Sequence, residues 1–186
     1  MKMKWVALPL IACLLTGCLA AMVAGAGGLM VYDRRSVRMM EKDARIFHVI
    51  HTAIATDPNF RDSRVKVSVY QRSVLLVGQV KRTSLRSLAA EVAQTTPNVR
   101  RVYNKLTVAA PIGFEQRGQD TWITGQVRSM MLAKKDLDSG SIQVTTEQGV
   151  VYLLGVVTPE QSELAVDVAR KVKGVRRVVK MFQYIR

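Results

Sequence analysis

Apolar residues recur along this chain in two matched blocks. Ile46, Ile50, Ala53 and Ile54 fall at i, i+4, i+7 and i+8, a spacing that predicts one buried helical stripe. Ile123, Val127, Met130 and Met131 repeat it. After each stripe the period changes to alternation: Val65-Val67-Val69 then Val74-Leu76 in the first block, Ile142-Val144-Thr146 then Val151-Leu153 in the second. Each second run continues into a glycine and a valine, Gly78 with Val80 and Gly155 with Val157. Alternation predicts strands with one face buried. Gln71-Arg72-Ser73 and Gln148-Gly149 are the predicted hairpin turns, and Gly149 suits its turn because glycine takes positive φ freely. A second helix is expected over residues 84–95 and 159–172, where Pro159 fits a first helical position. A closing strand is expected over residues 101–108 and 177–185. Asp43 and Asp120, just ahead of the two stripes, read as helix N-caps.

The blocks are a duplication. DARIFHVIHTAIATDPNFRDSRVKVSVYQRSVLLVG lies over DTWITGQVRSMMLAKKDLDSGSIQVTTEQGVVYLLG without a gap, Asp43 over Asp120 and Gly78 over Gly155. After a one-residue deletion AEVAQTTPNVRRV lies over VDVARKVKGVRRV. Two copies make two similar small domains rather than a solenoid. The order αββαβ lets both helices cover one face of a three-stranded sheet, an α+β fold of two layers repeated in tandem. The domains are expected at residues 43–110 and 119–186, with residues 111–118 as a linker broken by Pro111 and Gly113.

Ahead of the repeat lies a different pattern. MKMK is a basic start, and Trp5 to Leu15 is an apolar run interrupted only by Pro9. That run is too short to span a hydrocarbon core of about 30 Å at about 1.5 Å per residue and reads as an export leader. It closes on Leu15-Thr16-Gly17-Cys18, which resembles the lipobox of bacterial lipoproteins. The resemblance implies removal of residues 1–17, a covalent lipid at the Cys18 thiol and an acylated amine. Each buried CH₂ is worth about 0.8 kcal/mol, so several acyl chains anchor firmly. Leu19, where an aspartate would retain such lipoproteins, implies passage to the outer membrane. Cys13 lies inside the leader, so the mature chain holds one cysteine and no disulfide framework. Residues 18–42, with the Gly-rich AGAGGLM, are expected to be a flexible tether.

Charge narrows the partner. The chain of 186 residues carries a formal charge of +14, which favours an acidic partner. An exported, anchored protein does not ordinarily meet nucleic acid. An anionic leaflet attracts each nearby Lys or Arg by about 1 kcal/mol, which turns the expectation towards phospholipid headgroups. No catalytic signature is present: there is no GxSxG, HExxH or phosphate loop, and His48 with His51 lacks a third ligand. No enzyme, cofactor or metal is expected.

The copies differ informatively on one helix. At about 100° per residue, Ile123, Val127, Met130 and Met131 share the side expected to be buried. Trp122 and Leu132 fall outside it, with Arg128 and Lys135 beside them, and the first copy has Arg45 and Ala55 at the Trp122 and Leu132 positions. Two domains of one fold need the same core, so the extra apolar groups point to a surface role. An apolar tip flanked by cations is how a helix docks at a membrane interface. The alternative for Trp122 is packing between the copies.

Two αββαβ units with LLVG and YLLG strands, VRRV before the last strand and a lipobox upstream resemble the BON domain family. PIGFEQRGQDTWIT and VTTEQGVVYLLGVVT resemble its dual-domain outer-membrane lipoproteins. The resemblance implies a non-enzymatic lipoprotein on the periplasmic face. It implies that the first helix of the second copy binds anionic phospholipid, in support of envelope integrity and cell division. The family's lipid-contact positions match Trp122, Val127 and Leu132, Val127 entering only through the resemblance. The alternative is an adaptor for an envelope protease, the β-barrel assembly machinery or a peptidoglycan-associated factor.

Overall fold

A computed structural model describes residues 36–185; the leader, Cys18 and most of the expected tether lie outside them. Helix α1 (Val37–Thr56) leads to β1 (Arg64–Tyr70), β2 (Ser73–Val80), α2 (Thr83–Thr95) and β3 (Arg101–Val108). The second copy runs α3 (Phe114–Ala133), β4 (Ile142–Glu147), β5 (Val150–Val157), α4 (Pro159–Arg170) and β6 (Arg177–Tyr184). Each sheet has its middle strand antiparallel to the strand before it and parallel to the strand after it, with α2 or α4 as the crossover. Both copies are thus αββαβ, in the α+β class.

Alternation places β2 between two apolar layers. Val74, Leu76 and Val80 join Ile46, Ile50, Ile54, Leu85, Ala89 and Leu106 in the helix-side core of domain 1. Domain 2 builds the equivalent core from Ile123, Val127, Met131, Val151, Leu153, Ala165 and Phe182. The opposite faces are also buried. Tyr70, Leu75 and Val77 of the first sheet pack with Tyr152, Leu154 and Met181 of the second. The sheets therefore meet back to back, and the described residues form four layers, helices outside and two sheets within. This third core explains why every residue of β2 is buried. Repeat patterning alone suggested two independent two-layer units; their shared sheet faces make them one compact unit.

Polar groups fix the register of that interface. Ser68 Oγ and Thr145 Oγ1, equivalent positions of the two copies, hydrogen-bond each other at 2.9 Å. Gln79, only 1% exposed, donates through Nε2 to Glu147 Oε1 at 3.0 Å, while its Oε1 accepts from the Ile112 N–H at 3.2 Å. One side chain thus joins sheet, partner sheet and linker. Burial pushes the Lys66 pKa down, with Glu147 acting against it, and Lys66 Nζ donates to the Thr146 carbonyl.

Asp43 and Asp120 are not N-caps. The helices begin earlier, capped by Ser36, whose Oγ accepts from the Met39 N–H, and preceded by Gly113. The tether therefore ends in helix from Val37, and the second half of the linker is the first turn of α3. Both aspartates instead sit buried within the helices and reach the hairpin turns. Asp43 accepts from the Gln71 and Arg72 N–H groups at 2.7 and 2.8 Å. Asp120 does the same for Gln148 and Gly149, at 2.7 and 2.8 Å. Gln71, Arg72 and Gln148 all adopt positive φ, a conformation uncommon for non-glycine residues. The carboxylates hold these turns by charge-assisted bonds and tie the helix to the sheet. Asp120→Ala leaves two backbone donors without their charged acceptor, an expected loss of about 3 kcal/mol. Asp120→Asn, which keeps one acceptor, is expected to lose less. Urea unfolding measures both.

Candidate functional site

The outer face of α3 is where the copies diverge. Ile123, Val127 and Met131 point into the core and are fully buried or nearly so. Val127 therefore serves packing and cannot touch a surface ligand, which corrects its inclusion among the lipid-contact residues. Met130, assigned by periodicity to the buried stripe, is instead partly exposed, and so is Ala53 in the first copy. Trp122 and Leu132 are 50% and 55% exposed. Neither belongs to the cluster between the sheets, so interface packing does not account for Trp122.

The surroundings of Trp122 carry a signal the helical wheel passed over. Gly118 and Gly125 lie four residues before and three after it, on the same face. A Cβ at either would meet open space. Neither glycine is required by packing, and each costs about 1 kcal/mol relative to alanine in a helix interior. Their effect is to leave no side chain at these two positions beside the half-exposed indole.

The cations divide. Lys135 is exposed just beyond the end of α3. Arg128 leans back on the sheet, donating through Nη2 to the Val144 carbonyl at 3.2 Å. Burial pushes the Arg128 pKa down from the ordinary arginine value, although a guanidinium stays charged at neutral pH. Lys134 and Lys171 line a groove between α3 and α4 with Met130 and Leu164, so further cations lie next to the apolar face.

In the first copy Arg45 pairs with Glu41 at 3.0 Å and Ala55 is exposed. Helix α1 carries its own part-exposed apolar residues, Phe47 and Val49, at positions occupied by Thr124 and Gln126 in α3. Phe47 stacks on His51 at 5.2 Å. Among the described residues no group of three His, Cys, Asp or Glu is placed to hold a metal ion, and no helix is long and apolar enough to cross a membrane.

Two αββαβ units joined sheet to sheet define a tandem α+β domain protein. The chain belongs to the BON domain family, whose model matches residues 42–110 and 119–186. Both matches start inside a helix, since α1 and α3 begin at Val37 and Phe114. The chain is 34% identical over 174 residues to the outer membrane lipoprotein DolP of Haemophilus influenzae, covering 92% of this chain and 90% of that protein. It is 34% identical over 154 residues to a 21 kDa hemolysin of Actinobacillus pleuropneumoniae, covering 82% and 79%. Osmotically-inducible protein Y of Escherichia coli is 30% identical over 139 residues, covering 73% and 69%.

Proposed function

We propose that this protein is a non-catalytic, lipid-anchored envelope protein that docks on anionic phospholipid through the exposed edge of α3. The observation that carries this is the half-exposed Trp122 and Leu132 on a helix whose equivalent in the first copy has Arg45 and Ala55. An indole and a leucyl tip enter the acyl boundary while Lys135, Lys134 and the free edge of Arg128 meet headgroup phosphates. A covalent lipid at Cys18 keeps the chain at the membrane, and α3 then selects its charge. Likeness to an outer membrane lipoprotein supports placement at the outer membrane, and the export leader supports its periplasmic face. Envelope integrity and cell division are the processes this docking would serve.

Vesicle co-sedimentation tests the docking. The chain from residue 19 onward should bind vesicles containing phosphatidylglycerol and ignore purely zwitterionic ones. Binding to neither would favour the adaptor reading, in which the basic faces meet an envelope protein. The anchor has its own test. Cys18→Ala should abolish labelling by palmitate and release the chain from membranes on a salt wash. Labelling and retention unchanged would show that Cys18 is not the anchor.

A further inference from the structure

A second feature lies on domain 1, away from Trp122. Between the end of α1, the 3₁₀ turn Pro58–Phe60 and the start of β1 is a cavity of about 370 Å³. Ile54 and Phe60 give it an apolar wall, and Arg61, Arg64 and Arg117 give it a cationic one. Ser63 lies between Arg61 and Arg64 in the lining, and His51 of α1 also lines the cavity.

Two polar atoms of lining residues, Ser63 Oγ and Arg64 Nε, are buried behind the cavity surface without a hydrogen-bond partner among the described residues. An unmet buried donor is costly, most of all when charged, and native folds carry few of them. The protein's own acidic groups do not meet the need. Glu147 Oε2 lies 3.4 Å from Arg64 Nη2, a long contact, and Glu147 Oε1 accepts from Gln79. Asp62, next in sequence, pairs with Lys81. Arg117 is held in place by donating its Nε to the Ile112 carbonyl at 3.0 Å and by lying over the Phe114 ring at 5.0 Å, which leaves the edge donors of its guanidinium without a partner among the described residues. Three guanidiniums against one long ion pair make the cavity electropositive.

We infer that this cleft binds a phosphate monoester, its oxygens met by the guanidiniums of Arg61, Arg64 and Arg117. Guanidinium forks match phosphate oxygens two at a time, and a dianion balances the charge excess. The volume exceeds what a bare phosphate fills and lies in the range of small-ligand sites, so the ester's organic part rests on Phe60 and Ile54. The same chemistry is offered by a soluble ester such as glycerol 3-phosphate and by the headgroup of phosphatidic acid. Trp122 and Leu132 do not line the cleft, so it is distinct from the proposed docking edge, although Arg117 belongs to the same helix.

The test is a titration of the full chain, isotopically labelled and held in neutral detergent, followed by amide chemical shifts. Glycerol 3-phosphate is added at constant ionic strength, and in a second arm phosphatidic acid or phosphatidylcholine is incorporated in bicelles. Saturable shifts at residues 61–65 and at Arg117 are expected in one of these arms. Shifts with the soluble ester identify a free ligand, and shifts with phosphatidic acid alone identify a headgroup. Arg61→Ala, at an exposed position, should weaken the binding about tenfold, the worth of one charge-assisted bond. Lys173→Ala, at an exposed cation of domain 2, should leave it unchanged. No saturable shift in either arm, or shifts that Lys173→Ala and Arg61→Ala reduce equally, overturn the proposal. Docking through α3 is read separately from Trp122, so either reading can fail without the other.

Discussion

Trp122→Glu combined with Leu132→Glu should abolish binding of the chain from residue 19 onward to phosphatidylglycerol vesicles, a loss of at least a hundredfold. Burying a leucine-sized side chain is worth about 1.5–3 kcal/mol, and the indole contributes no less. Each introduced carboxylate also meets an anionic surface, whose field acts on a nearby charge with about 1 kcal/mol. The fold should survive, because both residues are half exposed and absent from all three apolar cores. Residual docking of the unmodified chain should weaken with salt, since charges are screened over about 8 Å at physiological ionic strength. Arg45→Glu with Ala55→Glu is the matched control in domain 1 and should retain substantial binding. Equal losses in the two pairs would mean that net charge, not the α3 edge, drives association. A folded α3 variant that binds as before would place the lipid site elsewhere, with Phe47 and Val49 of α1 the next surface to test.

Gly78→Ala should unfold domain 1 or destabilise the chain by more than about 4 kcal/mol. Gly78 adopts φ +124°, in a region that side chains rarely enter, and a Cβ there would lie 1.9 Å from the Arg64 carbonyl oxygen. That oxygen belongs to the paired strand β1, so it cannot swing aside without breaking the Val65–Gly78 register. Strain and overlap act together, and losses of this size come from such backbone positions. Gly155, its equivalent, tells the two causes apart. It lacks the positive φ but would place a Cβ 2.5 Å from the Ser141 carbonyl oxygen, so Gly155→Ala should cost less than Gly78→Ala. Urea midpoints of the two variants measure the difference. A Gly78→Ala chain within about 1 kcal/mol of the parent would show that β1 approaches β2 less closely than described.

Each glycine interrupts an alternating strand with no glycine cluster around it, which marks a close backbone approach or a bulge. Which carbonyl it approaches is set only by strand pairing. The aspartates show the same division more sharply. Their position ahead of an apolar stripe matched a capping signal, yet each lies inside its helix, and its partner is a turn 28 residues further along the chain. Capping is a local signal, and a bond across that separation exists only after helix and hairpin have packed. The wheel on α3 separated Trp122 and Leu132 from the core correctly but took in Met130, because a periodicity of 3.6 fixes the centre of a stripe better than its edges.

The sequence by itself determined the element order, the duplication and the helix-side core of each domain. Period-2 and helical spacing decide which residues can be buried together, and a gapless repeat requires one fold twice. It also carries Leu15-Thr16-Gly17-Cys18, whose lipid chemistry is an expectation that rests on resemblance to a lipobox. Only the tertiary structure decided what covers the second face of each sheet. Leu75, Val77 and Leu154 are apolar, but apolarity does not name a partner, and each could have faced another molecule. Once the sheets meet, Gln79 and Glu147 find each other, and neither has a local signature, since their bond spans 68 positions. The electropositive cleft on domain 1 arises for the same reason. Arg61 and Arg64 are ordinary charged loop and strand residues until packing brings Arg117 to them from the next domain and leaves the Arg64 Nε buried without an acceptor.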